Sequence, residues 1–125
     1  MRASQLQNFI GTAGWQYPDF KGRFYPDEIV SSQMLTYYSE RLNAVEINST
    51  FYHFSRPSTY QKWHEVTSQQ FQIAIKANRY FTHLYPLKDP ERRLDGFLET
   101  TRILGPKLGP ILFQFPGSLQ KDLRS

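Results

Sequence analysis

Four short apolar runs, separated by stretches of helical spacing, constrain the fold of this chain more than any other feature. In Asn43-Ala44-Val45-Glu46-Ile47-Asn48, Val45 and Ile47 alternate with Glu46 and Asn48, and two-residue alternation puts the two sets on opposite faces of a strand. Phe71-Gln72-Ile73-Ala74-Ile75-Lys76-Ala77-Asn78 repeats the pattern, with Phe71, Ile73, Ile75 and Ala77 on one face and Lys76 and Asn78 on the other. Gln114 stands between Phe113 and Phe115, and Thr12 follows Ile10 in Phe9-Ile10-Gly11-Thr12-Ala13-Gly14. If the apolar sets lie under helices, Thr12, Glu46, Lys76 and Gln114 converge inside, where charge is costly unless paired or functional. This pattern predicts a barrel with a site at one mouth.

Strands are expected at about residues 8–13, 43–48, 71–77 and 110–115, alternating with helical patterns as in repeated βαβ units with a parallel sheet. The first helix starts near Ser31 or Ser32 and buries Met34, Leu35, Tyr38 and Leu42. The second opens at Pro57 with a capping-box match from Ser58 to Gln61 and presents Tyr60, Trp63 and Val66. The third starts at Asp89-Pro90, buries Leu94, Phe97, Leu98 and Thr101, and stops at Gly105-Pro106.

The 125 residues suit one domain, residues 1–125, whereas a closed eight-stranded barrel needs about 250. The chain is therefore expected to supply about half of a barrel, roughly four βα units. Cysteine is absent, which excludes disulfides and thiolate metal sites and points to a reducing cytoplasm. Apolar stretches fall short of the ~20 residues of a membrane span, and Met1-Arg2-Ala3-Ser4-Gln5 lacks the apolar core of a signal peptide, so a soluble protein away from membranes is expected. The net charge of +4 mildly favours anionic partners, a small molecule or nucleic acid. No cofactor is legible.

Two long loops follow strands: residues 14–26, with five aromatics and two cations, and residues 79–88, of the same character. Both leave carboxyl ends, the side on which parallel α/β folds assemble sites. Ser49-Thr50-Phe51-Tyr52-His53-Phe54 forms a third wall.

Ile10-Gly11-Thr12-Ala13-Gly14-Trp15, Phe24-Tyr25-Pro26, Val45-Glu46-Ile47-Asn48-Ser49-Thr50-Phe51-Tyr52, Lys76-Ala77 with Phe81-Thr82-His83, and Leu108-Gly109-Pro110-Ile111-Leu112-Phe113-Gln114-Phe115-Pro116 closely resemble the YecE-like family, domain of unknown function 72. The resemblance covers nearly the whole chain in the family's order and spacing. It implies a TIM-type (β/α) barrel, α/β in class, found mostly in bacteria and archaea and with no established activity. Family members are about twice as long, the length of a closed barrel. Their later motifs, an acidic-aromatic-Arg-His-Pro strand and an Arg-Leu-His-Gly strand, have no counterpart here. His53 stands where relatives often carry Arg, and Ala13 where Ser is common.

Glu46 and Lys76, on adjacent strands with inward parity, are expected close enough to pair, either as a structural ion pair or as an acid/base couple or substrate clamp. A Schiff-base role for Lys76 is chemically open. Asn48 and Gln114 either orient a substrate or satisfy each other and Glu46. Among the three histidines His83, matching the family's Thr-His pair, is the candidate for proton transfer, against a role as a hydrogen-bonded loop anchor. His64 is expected on a helix surface and His53 in a loop. Glu46 with His83 makes two metal ligands of plausible type and no complete site. Trp15, Tyr17, Phe51, Tyr52 and Tyr80 either stack on a base or sugar or close the barrel mouth, while Lys21, Arg23 and Arg79 suit a phosphate or remain solvated. The expected site thus places Glu46, Lys76 and His83 in catalysis, with Thr12, Trp15, Asn48, Tyr52, Arg79 and Gln114 binding substrate. Against this enzyme stand a non-catalytic binding module and an incomplete half-barrel that self-associates.

Overall fold

In the computed structural model, which describes residues 7–83 and 90–117, four parallel strands form, the fourth starting two residues before the expected 110–115 and ending at Leu112, so that Phe113-Gln114-Phe115 lies beyond it. They are β1 (Gly11–Ala13), β2 (Ala44–Ile47), β3 (Gln72–Lys76) and β4 (Leu108–Leu112), hydrogen-bonded in the order β1-β2-β3-β4. The crossovers carry α1 (Ser31–Ser39), α3 (Pro57–Val66) and α5 (Pro90–Thr101), and single helical turns, α2 (Ser49–Tyr52) and α4 (Arg79–Thr82), follow β2 and β3. Strands added in one direction without reversal wind as a barrel does, whereas a doubly wound sheet changes direction partway. Coverage of the sheet is accordingly one-sided. Val45, Ile47, Ile73 and Ile75 are buried, while Ala44, Glu46, Gln72, Ala74 and Lys76 on the other face remain half-exposed.

The helices bury most of the expected inward positions, whereas Leu42 falls beyond α1 and it, Val66, Leu94 and Leu98 are only half-buried. Met34, Leu35 and Tyr38 face inward from α1, Tyr60 and Trp63 from α3, and Phe97 and Thr101 from α5. Tyr38 meets Phe71 edge-on at 5.9 Å between ring centroids, and Tyr60 meets Trp63 at 4.9 Å. The expected capping box on α3 does not form. Arg56 occupies the N-cap in an extended conformation and Pro57 begins the helix, so Ser58 lies inside it and Gln61 donates to Glu65 at 3.0 Å instead. Asp89, the expected start of the third helix, lies outside the described residues. That helix ends at Thr101 and gives way to a 3-10 turn, Arg102–Lys107, where Gly105 has φ 56°, a conformation that favours glycine.

β1 is shorter than expected because side chains replace part of its ladder. Asn43 Nδ2 donates to the Asn8 carbonyl at 2.7 Å, and its Oδ1 accepts from the Ile10 N–H at 2.7 Å. The buried Tyr38 hydroxyl accepts from the Thr12 N–H at 2.7 Å and donates to the Ala44 carbonyl at 2.8 Å, bridging β1 and β2. At the opposite end of the sheet, buried Lys107 donates to the carbonyls of His64 at 2.6 Å and Thr67 at 2.9 Å, closing the carboxyl end of α3, where a cation suits the helix dipole. Burial lowers its pKa below the ordinary 10.5. His64 is not a free surface residue: it is half-buried, with Nδ1 3.1 Å from the Leu104 carbonyl. Among the described residues, no helix is long and apolar enough to cross a membrane.

Candidate functional site

The exits of β2 and β3 are tied together by two buried polar residues. Thr50 Oγ1 lies 2.7 Å from the Lys76 carbonyl and 3.0 Å from that of Ile47. Asn78 Nδ2 donates to the Thr50 carbonyl at 3.0 Å, and its Oδ1 accepts from the Tyr80 N–H at 2.9 Å, capping α4. Neither residue stands out in the sequence as a functional candidate, because buried Thr and Asn look like ordinary loop polarity until their partners are known.

Phe51 and Tyr52 rest on this anchor, their rings 5.0 Å apart and perpendicular. Lys76 Nζ stands 4.3 Å from the Phe51 centroid, and the His83 ring meets Phe51 edge-on at 5.1 Å. Arg79 Cζ lies 5.8 Å from the Tyr52 centroid, and Thr82 Oγ1 lies 2.7 Å from His83 Nδ1. Lys76, Arg79 and His83 are therefore gathered around the Phe51–Tyr52 pair at the strand ends.

The expected ion pair between Glu46 and Lys76 does not form. The register opposes Glu46 to Ala74, so Lys76 lies two residues further along, an offset of about 6.6 Å. Both side chains belong to the half-exposed face of the sheet, but Lys76 takes the Phe51 ring in place of a carboxylate. Among the described residues the ion pair within 4 Å is Arg41 with Glu40, at 3.5 Å on the surface.

Thr12 departs further from expectation. It pairs in register with Val45, on the helix-covered face, and its hydroxyl lies 3.0 Å from Tyr38 Oη and donates to the Gly14 carbonyl at 2.6 Å. Gly11 and Ala13 hardly define a face in the sequence, so alternation does not fix the parity of Thr12, which shares the face of Val45. Ala13 is the β1 residue beside Glu46.

Trp15 and Asn48 meet elsewhere at the same end of the sheet. With Gly14, Gln16, Tyr17, Ile47 and Ser49 they line a cleft of about 190 Å³, where the Tyr17 hydroxyl donates to the Ala13 carbonyl. Trp15 also packs on Trp63 at 6.4 Å, and its carbonyl accepts from the Tyr25 hydroxyl at 2.6 Å. Gln114 is exposed two residues beyond β4, and no hydrogen bond joins it to Asn48 or Glu46 among the described residues. No three His, Cys, Asp or Glu side chains cluster at metal-binding distance among those residues, so Glu46 and His83 gain no further ligand from them.

Chemically, a half-buried ammonium and an imidazole on one aromatic ring, with a guanidinium against the adjoining ring and aromatic rather than carboxylate neighbours, suit an anion.

Residues 9–125 match the family described as "Protein of unknown function DUF72". The chain is 31% identical over 114 residues to the UPF0759 protein YunF of Bacillus subtilis, covering 86% of this chain and 39% of that one. It is 24% identical to the UPF0759 protein YecE of Escherichia coli, covering 88% of this chain and 38% of that one. A solved DUF72 family protein from Thermotoga maritima superposes with a TM-score of 0.74 at 27% identity, over 92% of this chain and 46% of that one. The chain thus spans less than half the length of these relatives.

Proposed function

The chain belongs to the DUF72 family, and from that premise we propose that it supplies the anion-binding part of an enzyme site, at the carboxyl ends of the strands, for an anionic or phosphate-bearing substrate. The observation that carries this reading is the Lys76 ammonium held on the face of Phe51 with no carboxylate within 4 Å among the described residues. Lys76 and Arg79 bind the anion, and Tyr52 positions Arg79 beside it. The Thr82 hydroxyl fixes the His83 ring through Nδ1, leaving Nε2 to exchange a proton with the substrate. Glu46, on the same face of the sheet, serves as a base toward water. The reaction class that fits this set is hydrolysis of a phosphate ester, in which water adds to phosphorus and the departing oxygen takes a proton from His83. The lack of cysteine fits a reducing, cytoplasmic setting.

A second reading, a module that binds single-stranded nucleic acid without turnover, draws on the exposed Tyr52 ring beside Arg79 and on the net charge of +4. Calorimetric titration with inorganic phosphate and hydrolysis of bis(p-nitrophenyl) phosphate separate the readings. Phosphate binding that falls roughly 10- to 100-fold in Lys76→Met and Arg79→Met supports the anion site, a range that follows from losing one charged hydrogen bond. Unchanged binding in both variants contradicts it. Oligonucleotide binding without hydrolysis favours the module.

A further inference from the structure

We propose that the groove between α3 and α5 is a second binding site, for a small aromatic carboxylate that carries a hydroxyl group at its far end. Its walls come from two consecutive βα units: Phe54 from the loop after α2, Tyr60 from α3, and Arg93, Gly96 and Phe97 from α5. Arg93, Gly96 and Thr100 share one face of their helix by spacings of three and four, and the cavity they border is about 230 Å³. At about 30 Å³ per water this is room for roughly eight waters, the size of a single-ring molecule.

Tyr60 is 1% exposed, yet its hydroxyl has no hydrogen-bond partner among the described residues. No fully buried polar side-chain atom is left unpaired among them, so this oxygen borders the open space of the groove, where a buried hydroxyl gains by meeting a ligand. Burial pushes its pKa up to about 12, so at neutral pH it keeps its proton to donate. Gly96 lies inside a helix, where alanine is favoured over glycine, and a Cβ there would meet nothing within 4 Å. Glycine thus keeps the groove open. Arg93 stands exposed at the rim, with Cζ 4.9 Å from the Tyr80 ring centroid and no carboxylate within 4 Å among the described residues.

These groups define the ligand. Phe54 and Phe97, with ring centroids 6.4 Å apart, and Tyr60 present aromatic surface that suits a flat ring. The guanidinium at the mouth takes the carboxylate, and the buried Tyr60 hydroxyl pairs with the hydroxyl at the opposite end of the ligand. Thr100 adds no donor, because its hydroxyl is turned to the Gly96 carbonyl at 2.9 Å. The groove is separate from the Lys76 cluster, which is built on Phe51 and Tyr52.

The test is calorimetric titration of the chain with 4-hydroxybenzoate and with benzoate. Expected is saturable binding of 4-hydroxybenzoate with a Kd of roughly 0.01–1 mM, the range open to a ligand of about ten non-hydrogen atoms. Benzoate is expected to bind roughly 3- to 10-fold more weakly for want of one hydrogen bond. Tyr60→Phe is expected to remove that difference, and Arg93→Met to weaken both ligands by roughly 10-fold or more. Gly96→Leu, which fills the groove while improving helix propensity, is expected to abolish binding of both with the urea midpoint held or raised. No binding of either ligand, binding that survives Gly96→Leu, or binding lost in Lys76→Met but kept in Arg93→Met would overturn the site. An unchanged preference for 4-hydroxybenzoate in Tyr60→Phe would contradict the pairing with its hydroxyl.

Discussion

The ammonium of Lys76 stands 4.3 Å from the centroid of the Phe51 ring, and that ring also carries His83 on its edge. Phe51 therefore positions two of the groups assigned to the anion. A cation over an aromatic face is worth about 0.5–1 kcal/mol when partly exposed, a factor of roughly two to five in an equilibrium. Phe51→Leu is expected to weaken phosphate binding by that factor and to broaden the Lys76 side-chain resonances, with little change in the urea midpoint. Undiminished binding in this variant would remove Phe51 from the site.

Thr50 and Asn78 form one network, so their losses should not add. Thr50→Val removes the hydroxyl that reaches the Lys76 and Ile47 carbonyls, and Asn78→Ala removes the bond to the Thr50 carbonyl. Each is expected to cost about 1–3 kcal/mol in urea unfolding. The double variant should cost less than their sum, because the residues share partners. Strict additivity would mean that the exits of β2 and β3 are held independently.

Tyr38→Phe tests the bridge between β1 and β2. The change leaves the Thr12 N–H and the Ala44 carbonyl without the hydroxyl that joins them, at a cost of about 2 kcal/mol. Hydrogen exchange at the Thr12 amide should accelerate, while the amides of α3 change only as far as global stability falls. A second handle on the same contact is Gly11, where a Cβ would overlap the Ala44 carbonyl, so Gly11→Ala is expected to push β1 off the sheet edge.

Alkaline pH should unfold the chain through its buried tyrosines. Burial, and then the neighbouring Tyr38, push the Tyr25 hydroxyl up to about 12 from 10.0, and burial does the same to Tyr60. Between these values the folded state holds more protons than the unfolded one, so stability present below pH 10.0 is lost as pH rises toward 12. Lys107 acts in the opposite sense, because its lowered pKa makes stability rise with pH, an effect complete at 10.5. The urea midpoint is expected to fall above 10.5, and less steeply in Tyr60→Phe, read alongside phenolate absorbance. A midpoint that holds steady up to 12 would contradict the assignment.

Alternation made β2 and β3 legible, because Val45, Ile47, Ile73 and Ile75 are large and apolar and their neighbours are not. The helices followed from the same contrast at Met34, Tyr38, Trp63 and Phe97. Strand parity failed at Thr12, where Gly11 and Ala13 give no contrast, and the Glu46–Lys76 pair failed because register between strands is set by crossover geometry that one strand's pattern does not encode. Thr50, Asn78 and Lys107 escaped notice for a related reason: each acts through backbone carbonyls of distant segments, 26 to 43 residues away. The role of Phe51 in holding Lys76 depends on the single helical turn after β2, which is too short to show a helical period in the sequence.

The most direct measurement of the anion site is a two-dimensional NMR titration of the chain with inorganic phosphate, with backbone amides and the His83 ring assigned. Saturable shifts confined to the ends of β2 and β3, at Phe51, Tyr52, Lys76, Arg79 and His83, and absent in Lys76→Met, are the predicted result. Shifts centred elsewhere, or none at these residues, would contradict the account.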